Sequence, residues 1–325
     1  MTAAQRSPSE MIRSYWSDVG SAVVARQFIR FFKALAIVVA FATPVAALAQ
    51  SALGPVTAEG EPNRKQEWRV PSLDAGTNAR ALLFRPPGAG PFRLALIAHA
   101  STENVLRRAQ MPQPEYRALV AFLVAHGFAV LVPERLGHGA TGGRYAEDQG
   151  GCDEADYARA GRATAEQISR ALDYLREQDF ARKDGAVVLG HSAGGWGALA
   201  LAGADPKMVS AVVVFAAGRG GHANDFPNQI CAPHSLLSAS AAFGKTAHIP
   251  VTWLVAANDS YFSPEFSRQL ANAFRAGGDR VDFRALPASG SEGHWMIETE
   301  AGVKAAGAEL ERALKPSKPV AAGKP

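Results

Sequence analysis

A serine between two glycines, Gly190-His191-Ser192-Ala193-Gly194, is the residue best placed here for covalent chemistry. A serine hydroxyl attacks a carbonyl only when a base takes its proton, and an acid must hold that base in place. The chain supplies both downstream, in that order. The apolar run from Val251 to Ala256 is followed closely by Asp259, and the polar stretch Gly290-Ser291-Glu292-Gly293-His294 carries the last histidine. Ser192 is therefore the candidate nucleophile, His294 the base and Asp259 the acid. Taken singly, Asp259 reads as a turn aspartate and His294 as an exposed loop histidine; their order behind the serine makes them a catalytic set. Glu292 and Asp282 compete for the acid role, but Glu292 lies close to His294 within one loop and Asp282 falls inside a strand.

These residues need a scaffold that presents them on one edge. Val187-Val188-Leu189 reads as a strand, and the small-residue stretch after Ser192 reads as a helix. This strand–turn–helix pattern is that of a nucleophile elbow, in which the serine stands at the carboxyl end of a strand. Gly190 and Gly194 allow backbones to approach where a Cβ would intrude. A tetrahedral intermediate needs two backbone N–H donors. Ala193 is the expected first donor. The second is assigned to the turn His99-Ala100-Ser101-Thr102, with Ser101 chosen and Thr102 as the alternative.

From residue 93 onward strands alternate with helices. Strands are expected at 94–99, 128–133, 186–189, 209–216, 251–256 and 281–286, and helices at 114–126, 157–175, 264–276 and 303–314. Two further strands, 67–70 and 79–84, form an antiparallel hairpin ahead of them. Such alternation implies right-handed crossovers and a mainly parallel central sheet with helices on both faces. Two irregular excursions, 135–156 and 219–247, leave carboxyl strand ends, where ligands bind in open α/β sheets. They are expected to form a small lid of two loops. Each holds one of the two cysteines, Cys152 and Cys231, which are expected to pair. Glu134 and Arg135 follow a strand end and read either as substrate contacts or as a structural pair holding the loop. Trp196 reads as core or as a pocket wall. His191 reads as packed, and His222, Asp225 and His234 are too irregularly spaced for a metal site.

The elbow, the Asn258-Asp259 strand end and the Gly293-His294 loop resemble those of the α/β-hydrolase superfamily, and within it the dienelactone hydrolase-like group. The resemblance covers about residues 93–314. It implies an α/β-hydrolase fold, an acyl-enzyme on a Ser-His-Asp triad, a small-molecule ester substrate, and no metal or organic cofactor. Dienelactone hydrolases proper use cysteine where this chain has Ser192. A peptidase or thioesterase on the same scaffold differs only in leaving group, and a non-catalytic binding protein would be expected to have lost one of the three residues.

The 325 residues are 47% hydrophobic and 20% charged, ordinary values for a well-cored protein. The net charge of +4 arises mostly in the first 49 residues; beyond them stand 29 basic and 28 acidic residues. No basic run or basic patch with interleaved aromatics points to nucleic acid. Arg26, Arg30 and Lys33 precede an apolar run from Ala34 to Ala49 that ends in Ala47-Leu48-Ala49. The pattern is that of a cleaved signal peptide, and the run is short for a membrane span of about 20 residues. The expected organisation is a signal peptide at 1–49, a flexible leader at 50–65, one α/β-hydrolase domain at 66–314 and a disordered tail at 315–325. The product is expected to be periplasmic or secreted, without stable membrane association. Mass spectrometry of the exported protein should find Gln50 at its amino terminus; residues before Gln50 retained in a membrane fraction would mean an anchor instead.

Overall fold

The computed structural model describes residues 52–277 and 281–315. The expected signal peptide, Gln50 and all of the expected tail but Lys315 lie outside the described residues. In chain order the elements are β1 (Gly54–Pro55), β2 (Gln66–Val70), β3 (Ala79–Phe84), β4 (Arg93–Ala98), α1 (Val105–Ala109), α2 (Arg117–Ala125), β5 (Phe128–Pro133), α3 (Tyr157–Arg176), β6 (Ala186–His191), α4 (Ala193–Ala204), β7 (Val209–Phe215), α5 (Pro233–Gly244), β8 (Val251–Ala256), α6 (Pro264–Arg275), β9 (Val281–Leu286) and α7 (Glu300–Leu314).

The strands form one sheet in the order β1-β2-β3-β5-β4-β6-β7-β8-β9. β1, β2, β3 and β5 pair antiparallel in succession, and every pairing from β5 through β4 to β9 is parallel. Alternate side chains divide the core in two. Val188 and Val214 face a cluster with Leu172 of α3, Leu199 of α4, Phe243 of α5 and Leu270 of α6. Val187, Leu189 and Val213 face the other, with Leu123 of α2 and Leu310 of α7. Burial on both faces explains why β4 to β7 read as nearly unbroken apolar runs. β6, the strand that delivers Ser192, lies between β4 and β7 near the middle of the sheet.

Three expectations change. The leader does not run free: Gly54 pairs with Arg69, Pro55 with Trp68, and Gly60 with Lys65, so residues 54–65 are tied to the sheet edge. The excursion 219–247 is not irregular throughout. Its second half is α5, whose Leu236, Ala239, Ser240 and Phe243 recur at helical spacing and are buried. Only the part before it overhangs the strand ends. α7 also starts three residues early, because Thr299 Oγ1 accepts the Gly302 N–H at 3.0 Å and caps it. Among the described residues no helix is long and apolar enough to cross a membrane.

Cys152 and Cys231 form a disulfide across 79 residues of sequence. It joins the 135–156 loop to the segment between β7 and α5, and both cysteines line the cavity described below. Closing a loop of this length restricts the unfolded chain by up to about 4–5 kcal/mol in the chain-entropy account. Reduction, or Cys152→Ser with Cys231→Ser, should therefore lower the thermal midpoint by about 5–15 °C. Non-reducing peptide mapping should show one cross-linked pair; two free thiols in the exported protein would contradict it.

Candidate active site

Ser192 sits between the last residue of β6 and the first of α4, with φ 53° and ψ −119°. This is a left-handed backbone that a residue with a Cβ rarely adopts. It is held by hydrogen bonds on both sides. Ser192 N–H donates to Phe215 O at 2.9 Å, and Ser192 O accepts from Trp196 N at 2.9 Å and Gly218 N at 3.3 Å. The flanking glycines are required by space. A Cβ on Gly194 would lie 2.1 Å from Ala98 O, and one on Gly190 would lie 2.6 Å from Gly194 O.

Asp259 follows β8, and its Oδ1 accepts the N–H groups of Tyr261 and Phe262, each at 2.9 Å. The same carboxylate faces His294 Nδ1, with Oδ2 at 3.2 Å and Oδ1 at 3.3 Å. The other acid candidates are engaged elsewhere. Glu292 clasps its own loop, accepting from His294 N at 2.9 Å and from the N–H and hydroxyl of Ser260. Asp282 pairs with Arg284 and Arg312 beside β9. The His294 ring is buried and stacks on Tyr261 at 4.1 Å between centroids. Burial lowers its pKa from the ordinary 6.5, and the Asp259 hydrogen bond opposes that shift without cancelling it. Among the described residues Ser192 Oγ and His294 Nε2 hydrogen-bond neither to each other nor to any other protein group. Both residues line a cavity of about 1070 Å³. In unliganded sites such bonds are commonly long and tighten when substrate binds.

The turn after β4 is pinned at many of its polar atoms. His99 O accepts from Arg135 Nη1 at 2.7 Å, and His99 Nε2 accepts from Arg135 N at 3.1 Å. Ala100 N donates to the Tyr116 hydroxyl at 3.2 Å, and Ala100 O accepts from His99 Nδ1 at 2.6 Å. His138 Nδ1 faces the carbonyls of Arg135 and Leu136, so it carries the proton, and its Nε2 accepts from the Ser101 hydroxyl at 2.7 Å. Thr102 O accepts from Arg108 Nη1 at 2.9 Å. With Ala100 N engaged, the N–H groups of Ser101, Thr102 and Ala193 are left without a protein acceptor among the described residues. All three residues line the same cavity.

Three tentative substrate contacts do not line the cavity. Arg135 is buried and pairs with Glu147, Nε to Oε1 at 2.5 Å, rather than with Glu134. Glu134 is buried in its own loop, where Oε2 accepts from Thr141 N at 2.6 Å. Both residues hold the strand end and the loop together. Trp196 is 0% exposed and packs against Phe243 and Tyr157, whose carbonyl accepts its Nε1–H at 2.8 Å. It faces the core because α4 is buried all round.

Sequence reasoning missed a buried ionic cluster beneath the lid. Glu147 bridges Arg135 and Arg219, and Arg219 also reaches Glu103 at 2.8 Å. Burial alone would raise the Glu147 carboxyl, but the two guanidiniums overcome it and hold it well below the usual carboxylate range. Arg219 and Glu103 line the cavity, as does Trp295, which is 39% exposed. Among the described residues no group of three or more His, Cys, Asp or Glu is placed to hold a metal ion.

Residues 112–297, more than half of the chain, match the Alpha/beta hydrolase family. No curated protein sequence matches the chain. Solved structures do. An esterase of Pyrococcus furiosus aligns with a TM-score of 0.55 at 12% identity, over 81% of this chain and 98% of that one. A puromycin-hydrolyzing peptidase of Mycobacterium tuberculosis aligns with a TM-score of 0.54 at 16% identity, over 78% of this chain and 40% of that one. The "Putative Dienelactone Hydrolase" of Klebsiella pneumoniae aligns with a TM-score of 0.50 at 15% identity, over 77% of this chain and 97% of that one. At such identities the likeness is one of fold. Together with the family match, the parallel sheet and the elbow on β6, it shows that the chain belongs to the alpha/beta hydrolase family.

Proposed function

We propose that the protein hydrolyses carboxylic esters of small molecules through an acyl-enzyme on Ser192. The observation that carries this reading is the Asp259 carboxylate on His294 Nδ1, behind a cavity lined by His294, Ser192, Ala193 and Ser101. With Nδ1–H donated to Asp259, the lone pair of the neutral ring lies on Nε2. Nε2 takes the Ser192 Oγ proton as Oγ bonds to the ester carbonyl carbon. The carbonyl π electrons move to oxygen, and that oxyanion accepts from the N–H groups of Ala193 and Ser101. The amino-terminal end of α4 adds its positive dipole at the same place. Collapse expels the alkoxide, which takes the proton from His294. Water then repeats the sequence on the acyl group, giving the carboxylic acid and free Ser192.

The disulfide supports export into an oxidising compartment, consistent with a cleaved signal peptide. The geometry of the site does not encode the leaving group, so amides and thioesters belong in the same substrate panel as aryl esters. A binding protein without catalysis would not react with a fluorophosphonate.

Because the three residues act as a unit, their losses should not add. Ser192→Ala and His294→Ala should each reduce kcat for a short-chain aryl ester by several orders of magnitude, with the double variant hardly worse. Asp259→Asn should cost about 10³–10⁴-fold. Circular dichroism should show all of them folded. Near-normal turnover by Ser192→Ala would defeat the mechanism, and near-normal turnover by Asp259→Asn would move the acid role elsewhere.

The base must be neutral in the free enzyme, and burial disfavours its charged form. kcat/KM should therefore be full at pH 7 and fall only as pH drops through a value below the ordinary histidine 6.5. An acid limb centred above pH 7 would contradict this assignment.

A further inference from the structure

His191, immediately before the nucleophile, is buried, and both of its ring nitrogens are committed. Its Nε2 lies 2.8 Å from the carbonyl oxygen of His294. A carbonyl only accepts, so Nε2 carries the proton, and in the neutral ring Nδ1 is the acceptor. The Tyr116 hydroxyl lies 3.1 Å from that Nδ1 and must donate to it. The same hydroxyl oxygen accepts the Ala100 N–H at 3.2 Å. Burial, reinforced by the negative charge of Glu298, raises the Tyr116 pKa and keeps the hydroxyl protonated. One proton arrangement satisfies every member. The chain runs from Ala100 N–H through the Tyr116 hydroxyl and the His191 ring to His294 C=O.

Its two ends belong to different parts of the site. Ala100 adjoins Ser101 in the turn after β4, and His294 is the base of the loop after β9. Tyr116 holds a left-handed backbone, φ 48° and ψ 45°, at the start of α2 with no side-chain cap to account for it. Glu298 Oε1 approaches His191 Nδ1 at 3.4 Å from a side chain that is 44% exposed, whereas Tyr116 is buried. The ring of His191 also lies 5.2 Å from that of His294 and 5.3 Å from that of Trp295, centroid to centroid.

We propose that His191 and Tyr116 are positioning residues that lock the 99–102 turn to the His294 loop through one directional hydrogen-bond chain. The oxyanion donors and the base thereby keep a fixed separation across Ser192. The inference rests on the reading of Ser192 as nucleophile. His191 does not line the cavity, and Tyr116, which does, turns its hydroxyl to His191 and Ala100 in this role. Their effect falls on the transition state, where the base and the oxyanion donors act together, and leaves ground-state binding unaltered.

The test compares full-length wild type, Tyr116→Phe, His191→Gln and the double variant on a short-chain aryl ester, with thermal melts as folding controls. Each single variant should lower kcat by about 10- to 100-fold, the range expected of a misplaced catalytic group. KM should stay within about twofold. The double variant should be no worse than the worse single, since cutting a chain twice costs no more than cutting it once. Inhibition by an aryl boronic acid, a tetrahedral mimic, should weaken in parallel with kcat. Tyr116→Phe keeps the ring and its packing, so it carries the kcat-against-KM comparison should His191→Gln not fold. A wild-type kcat in folded Tyr116→Phe, a loss confined to KM, or losses that multiply in the double variant would overturn the proposal. Ser192→Ala separates the two readings. Activity retained there removes the acyl-enzyme itself, whereas an inactive Ser192→Ala beside a normal Tyr116→Phe removes only the positioning chain.

Discussion

The left-handed backbone at Ser192 is the constraint on which the site depends. A conformation of this kind costs on the order of 1–3 kcal/mol and persists only where the surroundings over-determine it. Here β7 supplies the Phe215 carbonyl to Ser192 N–H, and α4 starts directly behind. Gly190 and Gly194 keep the backbones of β4, β6 and α4 closer than any Cβ would allow. The central place of β6 in the sheet gives the elbow a rigid base, with parallel neighbours on both sides. The rest of the fold brings other strand ends to that point.

Around the elbow, charge and hydrogen bonding do the positioning that apolar packing cannot. The buried Arg135–Glu147–Arg219 cluster draws the ends of β5 and β7 and the 135–156 loop to one spot. Such a cluster is weak evidence for net stability, because desolvation offsets most of the attraction. Its geometric effect is clearer: Arg135 fixes both His99 O and the His99 ring, and so the turn whose Ser101 and Thr102 line the cavity. In the proposed reaction the backbone donors are already aligned when charge develops on the substrate oxygen, so no reorganisation is needed at that step. The disulfide performs a related task in the lid, joining its two segments beside the cavity.

The parts of this arrangement that are local in sequence were legible there. The elbow announces itself in five residues, and alternating strands and helices gave the sheet and most element boundaries. The order Ser192, Asp259, His294 selected the carboxylate that meets His294 in three dimensions. The 99–102 turn is the one the sequence offers for a second donor, and only the structure shows its Ala100 N engaged by Tyr116. What stayed hidden was non-local or periodic in a misleading context. Glu147 and Arg219 are 72 residues apart, and neither has a spacing that signals a partner. Arg135 was paired in expectation with its neighbour Glu134, whereas side chains of adjacent residues diverge. α5 was overlooked because its apolar face is made largely of alanine and serine beside Leu236 and Phe243. The two-residue strand at Gly54–Pro55 is too short to show a period of its own.

The proposed mechanism turns on one atom, Ser192 Oγ, and on the two amides proposed to receive the charge that its attack would create. A crystal structure of the protein inactivated by a small aryl phosphonate tests both at once. The expected result is a phosphorus–oxygen bond to Ser192 Oγ, with the phosphoryl oxygen about 2.7–3.1 Å from the amide nitrogens of Ala193 and Ser101. An adduct on another residue, or a phosphoryl oxygen turned away from both amides, would contradict it.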